Sequence, residues 1–288
     1  MNFIITKIYG GLGNQMFQYA AGRSLSLRYQ APLYLDIEWF DKGQKGLDIR
    51  SYQLSIFKNI HAIIQKKHSL LYKYTIECIK KYFIALPIIK EPYFAYWPGF
   101  FGITLPATLD GYWQSEKYFA DFPNKIRHDF TFPTLPEKGI QFAKQIAQAP
   151  EPVSVHIRRG DYISNPQTQA VHGNLQQSYY SKALQLIKYA YGKTKLFIFS
   201  DDPQWSRQNF DCCGHDAVVV DLDSPNTPHH DMHLMSLCKH HIIANSSFSW
   251  WGAWLAKESG ITIAPRKWFA QKSFDEYKDI YCKNWIIL

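Results

Sequence analysis

Three observations predict an α/β fold built on parallel sheets. The chain opens with a β-branched run, a glycine-rich turn, a helical pattern and a second extended run. Its second half alternates short apolar runs with segments of helical periodicity. Its 288 residues are 46% apolar and only 19% charged, enough for two domains of ordinary size or one large one. That balance excludes wholesale disorder. No internal repeat or low-complexity tract appears.

Residues 3–9 form the first apolar, β-branched run, and Gly10-Gly11-Leu12-Gly13-Asn14 follows at once. From 15 to 28, Met16, Phe17, Ala20, Ala21 and Leu25 recur at helical spacing. A second extended run over 32–35 ends at Asp36, giving the strand, turn, helix and strand that open an α/β domain. A helix within 62–86 and a strand over 109–113 are expected next. Pro133, Pro136, Pro150 and Pro152 bracket a helical segment, and the domain boundary is expected there, dividing 1–140 from 141–288. Beyond it, short apolar runs at 153–157, 196–199, 217–222, 242–244 and 261–264 alternate with helical patterns at 177–191, after Asp202, at 230–239 and at 248–257. Such alternation implies right-handed crossovers and a parallel sheet. Ligands of such sheets bind beyond the carboxyl ends of the strands.

The formal charge is +8, which a nucleic acid, an anionic membrane or a phosphorylated substrate would explain. Between Lys58 and Lys90 seven lysines face one acid, Glu77, among Ile, Leu, Tyr and Phe. That segment is either a contact for anionic lipid headgroups or a solvated lysine-rich face. No run of 18 apolar residues marks a membrane span, and the apolar start, 3–9, reads as a strand and not as a signal peptide. Cys78, Cys212, Cys213, Cys238 and Cys282 lack metal-ligand spacing, and their odd number suits reduced thiols. The expected location is the cytoplasm, with peripheral contact at a bacterial inner membrane as an extension.

The chemistry-bearing segments fall at strand ends. His156-Ile157-Arg158-Arg159-Gly160-Asp161-Tyr162 leaves the run at 153–157. Arg158 there is placed to fork onto a phosphate, or else to pair with Asp161 at a turn. Asn245-Ser246-Ser247-Phe248 ends a strand and opens a helix, whose free N–H groups and positive dipole end favour an anion. A plain Ser N-cap is the alternative. In the turn Gly10-Gly11-Leu12-Gly13-Asn14, the glycines permit close backbone approach and Asn14 both donates and accepts. It is neither a Walker loop nor the dinucleotide fingerprint. Asp201 and Asp202 follow a strand, and Asp231 opens a helix, as a cap or as an acceptor of two N–H bonds from a guanine edge. Asp221-Leu222-Asp223 matches a common metal-holding pattern but lies among strands whose phosphate candidates are an arginine and a helix terminus.

Taken together, GGLGNQMFQYA at 10–20, HIRRGDY at 156–162, FSDD at 199–202 and DMHLMSLCKHHIIANSSFSWWGAWL at 231–255 resemble the α-1,2-fucosyltransferases, most closely the bacterial ones. More distantly they resemble α-1,6- and protein O-fucosyltransferases. The resemblance spans nearly the whole chain. It implies a GT-B fold, two Rossmann-like domains facing across a cleft with GDP-fucose on the C-terminal one. It implies metal-independent inversion from GDP-fucose to the 2-hydroxyl of a terminal galactose. Arg158 would bind the β-phosphate, His156 would lie beside the nucleotide and Asp231 would read the guanine. Ser246, Ser247 and Phe248 would form the phosphate seat. Gly11 and Asp201 would border the donor, and Asn14 would reach the phosphates or fucose. No cofactor is implied, the donor being a substrate. Asp161 is the candidate general base, with bracing of Arg158 or Arg159 as its other role. The segments lack the N-terminal membrane anchor of animal members, which favours a bacterial enzyme of surface-glycan synthesis. Two rival readings stand: a transferase of other linkage or GDP-sugar, and a basic nucleic-acid binder, for which no motif is present.

Overall fold

Strand β1 (Ile4–Lys7), helix α1 (Leu12–Tyr29) and strand β2 (Leu33–Asp36) realise the predicted opening. In the computed structural model residues 2–42, 50–65, 86–160, 165–223, 227–258 and 260–288 are described. Helix α1 is buried along most of its length, glutamines included. Gln15 can be buried because its amide donates to the Gly10 and Ser51 carbonyls (both 2.9 Å) and accepts from Gln53 N–H (2.9 Å). Gly22 lets the helix lie against β1: a Cβ there would stand 2.2 Å from Thr6 Oγ1.

Three further strands, β3 (Ile63–Gln65), β4 (Ile88–Lys90) and β5 (Ala107–Asp110), complete a five-stranded parallel sheet ordered β3-β2-β1-β5-β4. Two expectations are corrected here. The helix within 62–86 gives way at its start to β3, whose isoleucines pair with Tyr34 and Leu35; residues 66–85 lie outside the described residues. The strand over 109–113 stops at Asp110 because the Glu91 carboxylate accepts the N–H groups of Tyr112 (2.8 Å) and Trp113 (3.0 Å). Trp113 then takes a positive φ of 56°.

Helix α2 (Pro123–Asp129) closes the first unit, Met1–Pro133, to which Asp275–Ile280 returns. The second unit is Thr134–Phe274 with Tyr281–Leu288. It contains strands β6 (Pro152–Ile157), β7 (Lys195–Ser200), β8 (Asp216–Val219), β9 (His240–Ile242), β10 (Thr262–Ala264) and β11 (Ile286–Ile287). All pair in parallel, in the order β11-β10-β9-β6-β7-β8. Its helices are α3 (Glu137–Gln148), α4 (Pro166–His172), α5 (Gln177–Tyr191), α6 (Pro203–Asn209), α7 (Pro228–Leu237) and α8 (Ser247–Trp254). The strand expected over 217–222 is thus Asp216–Val219, and the helix expected over 248–257 ends at Trp254.

Strand alternation sorts this sheet's side chains onto two covered faces. Val153, Val155, Ile157, Leu196 and Ile198 pack with Tyr180, Ala183, Leu184 and Ile187 of α5. Phe197 and Phe199 pack on the other face with Ile146 of α3 and Leu234 and Met235 of α7. Each buried Val, Leu, Ile, Phe or Met side chain here stabilises the fold by about 1.5–3 kcal/mol. Taken in chain order this is the Rossmann sequence of strands, whose order reverses between β6 and β9, the point beyond whose carboxyl ends such sheets bind ligands. Among the described residues no helix is long and apolar enough to cross a membrane, and Cys212, Cys213 and Cys238 form no disulfide.

Candidate active site

The reversal point of the second sheet is where the candidate anion-binding residues expected from the sequence lie. Ile157, the last residue of β6, pairs with Ser200, the last of β7. That register brings Arg158 beside Asp201, each one residue past its strand. The Arg158 guanidinium donates to Asp201 Oδ2 at 2.7 Å, and Arg159 N–H donates to Oδ1 at 2.8 Å. Gly160 is required by this clasp, since a Cβ there would lie 2.6 Å from Asp201 Oδ2. Arg159 turns elsewhere: its Nε lies 3.5 Å from Asp202 Oδ2, and its guanidinium sits 3.5 Å above the Trp205 ring centroid. Asp202 is itself held, capping α6 by accepting Trp205 N–H at 3.0 Å. Asp201 and Asp202 thus brace the two arginines. Asp161 lies outside the described residues.

On the other side of the reversal point, the chain leaves β9 and passes Asn245 to the N-terminus of α8. Asn245 is fixed by donating to the carbonyls of His172 (2.9 Å) and Trp268 (3.2 Å). Ser246 caps the helix, accepting Phe248 N–H at 3.3 Å, and Ser247 is its first residue. The capping reading is thus realised, and it leaves the helix end oriented for an anion. Behind it, Trp250, Trp251 and Trp254 are buried and anchor the short helix. His156 joins the two sides, its ring centroid 5.7 Å from that of Phe248. Burial, and then the Arg158 charge, lower the His156 pKa to about 3, so the ring is neutral. Its Nδ1 is buried without a hydrogen-bond partner. Tyr180 from α5 donates to the His156 carbonyl at 3.1 Å and fixes the strand end.

Asp231 lies in the first turn of α7. Burial, and then the nearby Asp221 charge, push its carboxyl up to about 7. Asp221 is oriented by Arg207 (2.6 Å) and by Asp223 N–H (3.1 Å), and Asp223 is paired with Lys138 (2.6 Å). Both carboxylates of the Asp221-Leu222-Asp223 pattern are thus turned to cationic side chains.

In the first unit, Gly11 is the N-cap of α1 and Asn14 lies in its first turn. Gln114, just past β5, donates to Asn14 Oδ1 at 2.7 Å. Gln114 and Trp205 are the supporting residues that sequence reading missed. No local signal announces either, because each acts on a residue of a distant motif.

A Rossmann-ordered parallel sheet with an arginine and a capped helix end at its reversal point defines the doubly wound α/β class. The chain belongs to glycosyl transferase family 11, which it matches over residues 3–288. It is therefore a glycosyltransferase. It is 32% identical to an alpha-1,2-colitosyltransferase of Escherichia coli, over 99% of each chain. It is 33% identical to the O-antigen biosynthesis glycosyltransferase WbnK of Escherichia coli, over 91% of this chain and 93% of that one. Among solved structures, it resembles the NodZ alpha-1,6-fucosyltransferase soaked with GDP-fucose at a TM-score of 0.50 and 15% identity, covering 88% of this chain and 92% of that one. The likeness carries the fold: the expected GT-B class of two Rossmann-like units is borne out.

Proposed function

We propose that the chain transfers L-fucose from GDP-fucose to the 2-hydroxyl of a terminal β-galactose, with inversion and without a metal. The observation that carries this is the joining of Arg158, His156 and the α8 N-terminus at one reversal point. The motif resemblance to α-1,2-fucosyltransferases supports the donor and linkage. As the fucose–phosphate bond breaks, negative charge grows on GDP. Arg158, held by Asp201, and the N–H groups at Ser246–Phe248 would stabilise it. Neutral His156 would add no charge but would shape the pocket wall with Phe248, and Asp231 would accept two N–H bonds from guanine. The galactose hydroxyl would attack from the opposite face and lose its proton to a base, for which Asp161 is proposed. The products are the α-1,2-fucoside, GDP and a proton.

The E. coli relatives suggest a surface-glycan precursor as acceptor, made in the cytoplasm, with the lysine-rich segment 58–90 as a contact to anionic lipid. A second reading, favoured by the colitosyltransferase relative, is transfer of colitose, the 3-deoxy analogue of fucose.

The test is incubation with GDP-fucose and lactose in EDTA, with linkage analysis of the product. An α-1,2-fucoside is expected. Faster turnover of GDP-colitose would replace the donor, and turnover only with Mn²⁺ would remove metal independence. The reading falls if neither GDP-sugar is turned over with or without Mn²⁺.

A further inference from the structure

We propose that the carboxyl end of the first sheet holds a neutral-sugar subsite, built on Tyr9, Trp39 and Tyr112, that takes the terminal galactose of the acceptor. This rests on the transferase reading above and adds the residues that recognise its acceptor.

The first sheet also reverses its strand order, between β1 and β5. Crevices at such points lie outside the carboxyl strand ends. Tyr9 follows β1 and Tyr112 follows β5, so the two rings stand one on each side of the reversal. They meet edge to face with centroids 5.1 Å apart. Trp39, just past β2, meets Tyr9 at 6.3 Å. The Gln114–Asn14 hydrogen bond spans the same two strand ends.

Three rings gathered at a sheet end would ordinarily be core. These are not: Tyr112 is 39% exposed, while Trp113, the next residue, is fully buried. Tyr9 and Trp39 are half-buried. The loop that presents Tyr112 is fixed, because Glu91 accepts the N–H groups of both Tyr112 and Trp113.

The charges nearby select the ligand. Asp110 and Glu91 lie close enough to the Tyr9 phenol to add to the effect of burial in raising its pKa. Lys7 is paired with Asp110 at 2.7 Å. Asp110, paired with Lys7, and Glu91, which holds two N–H groups, keep oxygen lone pairs that accept hydroxyl donors. Aromatic faces flanked by phenols and carboxylates suit a neutral pyranose. The C–H face of the sugar stacks on a ring, and its hydroxyls meet the polar groups. Galactose fits this chemistry because its axial 4-hydroxyl leaves the hydrogens from C3 to C6 on one continuous apolar face.

The test measures initial rates with acceptor and donor varied separately, for Tyr112→Ala and Trp39→Ala. The acceptor KM is expected to rise roughly tenfold or more, with the KM for GDP-fucose within about twofold of the unmodified chain. Tyr112→Leu, which keeps apolar bulk but loses the ring face, decides the matter if an alanine variant unfolds. Tyr112→Phe should restore most of the acceptor KM. Calorimetric titration with methyl β-galactoside in the presence of GDP reads the subsite without turnover. An unchanged acceptor KM in a folded variant, an equal rise in donor KM, or no galactoside binding by the unmodified chain overturns the subsite. Failure to turn over any GDP-sugar, with galactoside binding intact, would instead overturn the transferase reading.

Discussion

The Arg158 guanidinium and the Asp201 carboxylate meet at 2.7 Å, and that clasp sets what substitutions there should do. Arg158→Lys keeps the charge but loses the planar fork. Turnover should fall by about 100-fold or more, the scale of losing one preorganised donor. Asp201→Asn keeps the shape but releases the fork, so kcat should fall by roughly tenfold, with the KM for acceptor unchanged. Steady-state kinetics with both variants checks this. A fall in melting temperature without a fall in kcat would make Asp201 structural only. Asp231 gives a pH dependence. Its carboxyl is raised from 3.8 to about 7 by burial and by Asp221, and the proposed acceptance from guanine requires it ionised. The KM for GDP-fucose should therefore rise as pH falls below about 7. Stability moves the other way. The folded chain holds this proton more tightly than the unfolded one, so the contribution is fully present below about pH 4 and is lost as pH climbs towards 7. Each unit of such displacement corresponds to about 1.4 kcal/mol. Asp231→Asn should flatten both profiles, measured as KM and melting temperature against pH.

At the scale of elements, helix α8 is short, apolar and dependent on its first residues. Its eight residues are capped by Ser246 and anchored by buried tryptophans. Ser246→Ala should cost about 1 kcal/mol of stability and, by loosening the N–H groups at the helix start, raise the KM for GDP-fucose severalfold. Thermal melting and donor kinetics read the two effects. Elements of this kind were legible in the sequence because their periodicity is strong. Strands β6 and β7 alternate cleanly between two buried faces, and helix α5 carries an apolar stripe. The strands β4 and β11 were not legible. Each is two or three residues long and pairs with a strand at a sheet edge, so register defines it more than local pattern. Of the misread residues after β5, Tyr112 and Trp113 are β-prone, and what ends the strand is Glu91, 21 residues upstream of Tyr112.

At the scale of the whole molecule, the candidate site residues were visible as residue types and their partners were not. An arginine, a histidine and paired serines at strand ends carry their chemistry in their side chains. That Asp201 holds Arg158, or that Gln114 holds Asn14, depends on which strands lie side by side. The same holds for the return of Asp275–Ile280 to the first unit, which no composition shift announces. That return has a consequence for biosynthesis. Asp279 accepts Tyr96 N–H and pairs with Lys117, joining two segments made early to one made late. A ribosome adding about 5–20 residues per second makes those early segments wait roughly 10–30 s for their partner. During that interval most of the second unit emerges and begins to fold. The N-terminal half is first to be translated, yet its last stitch is set only once residue 280 has appeared.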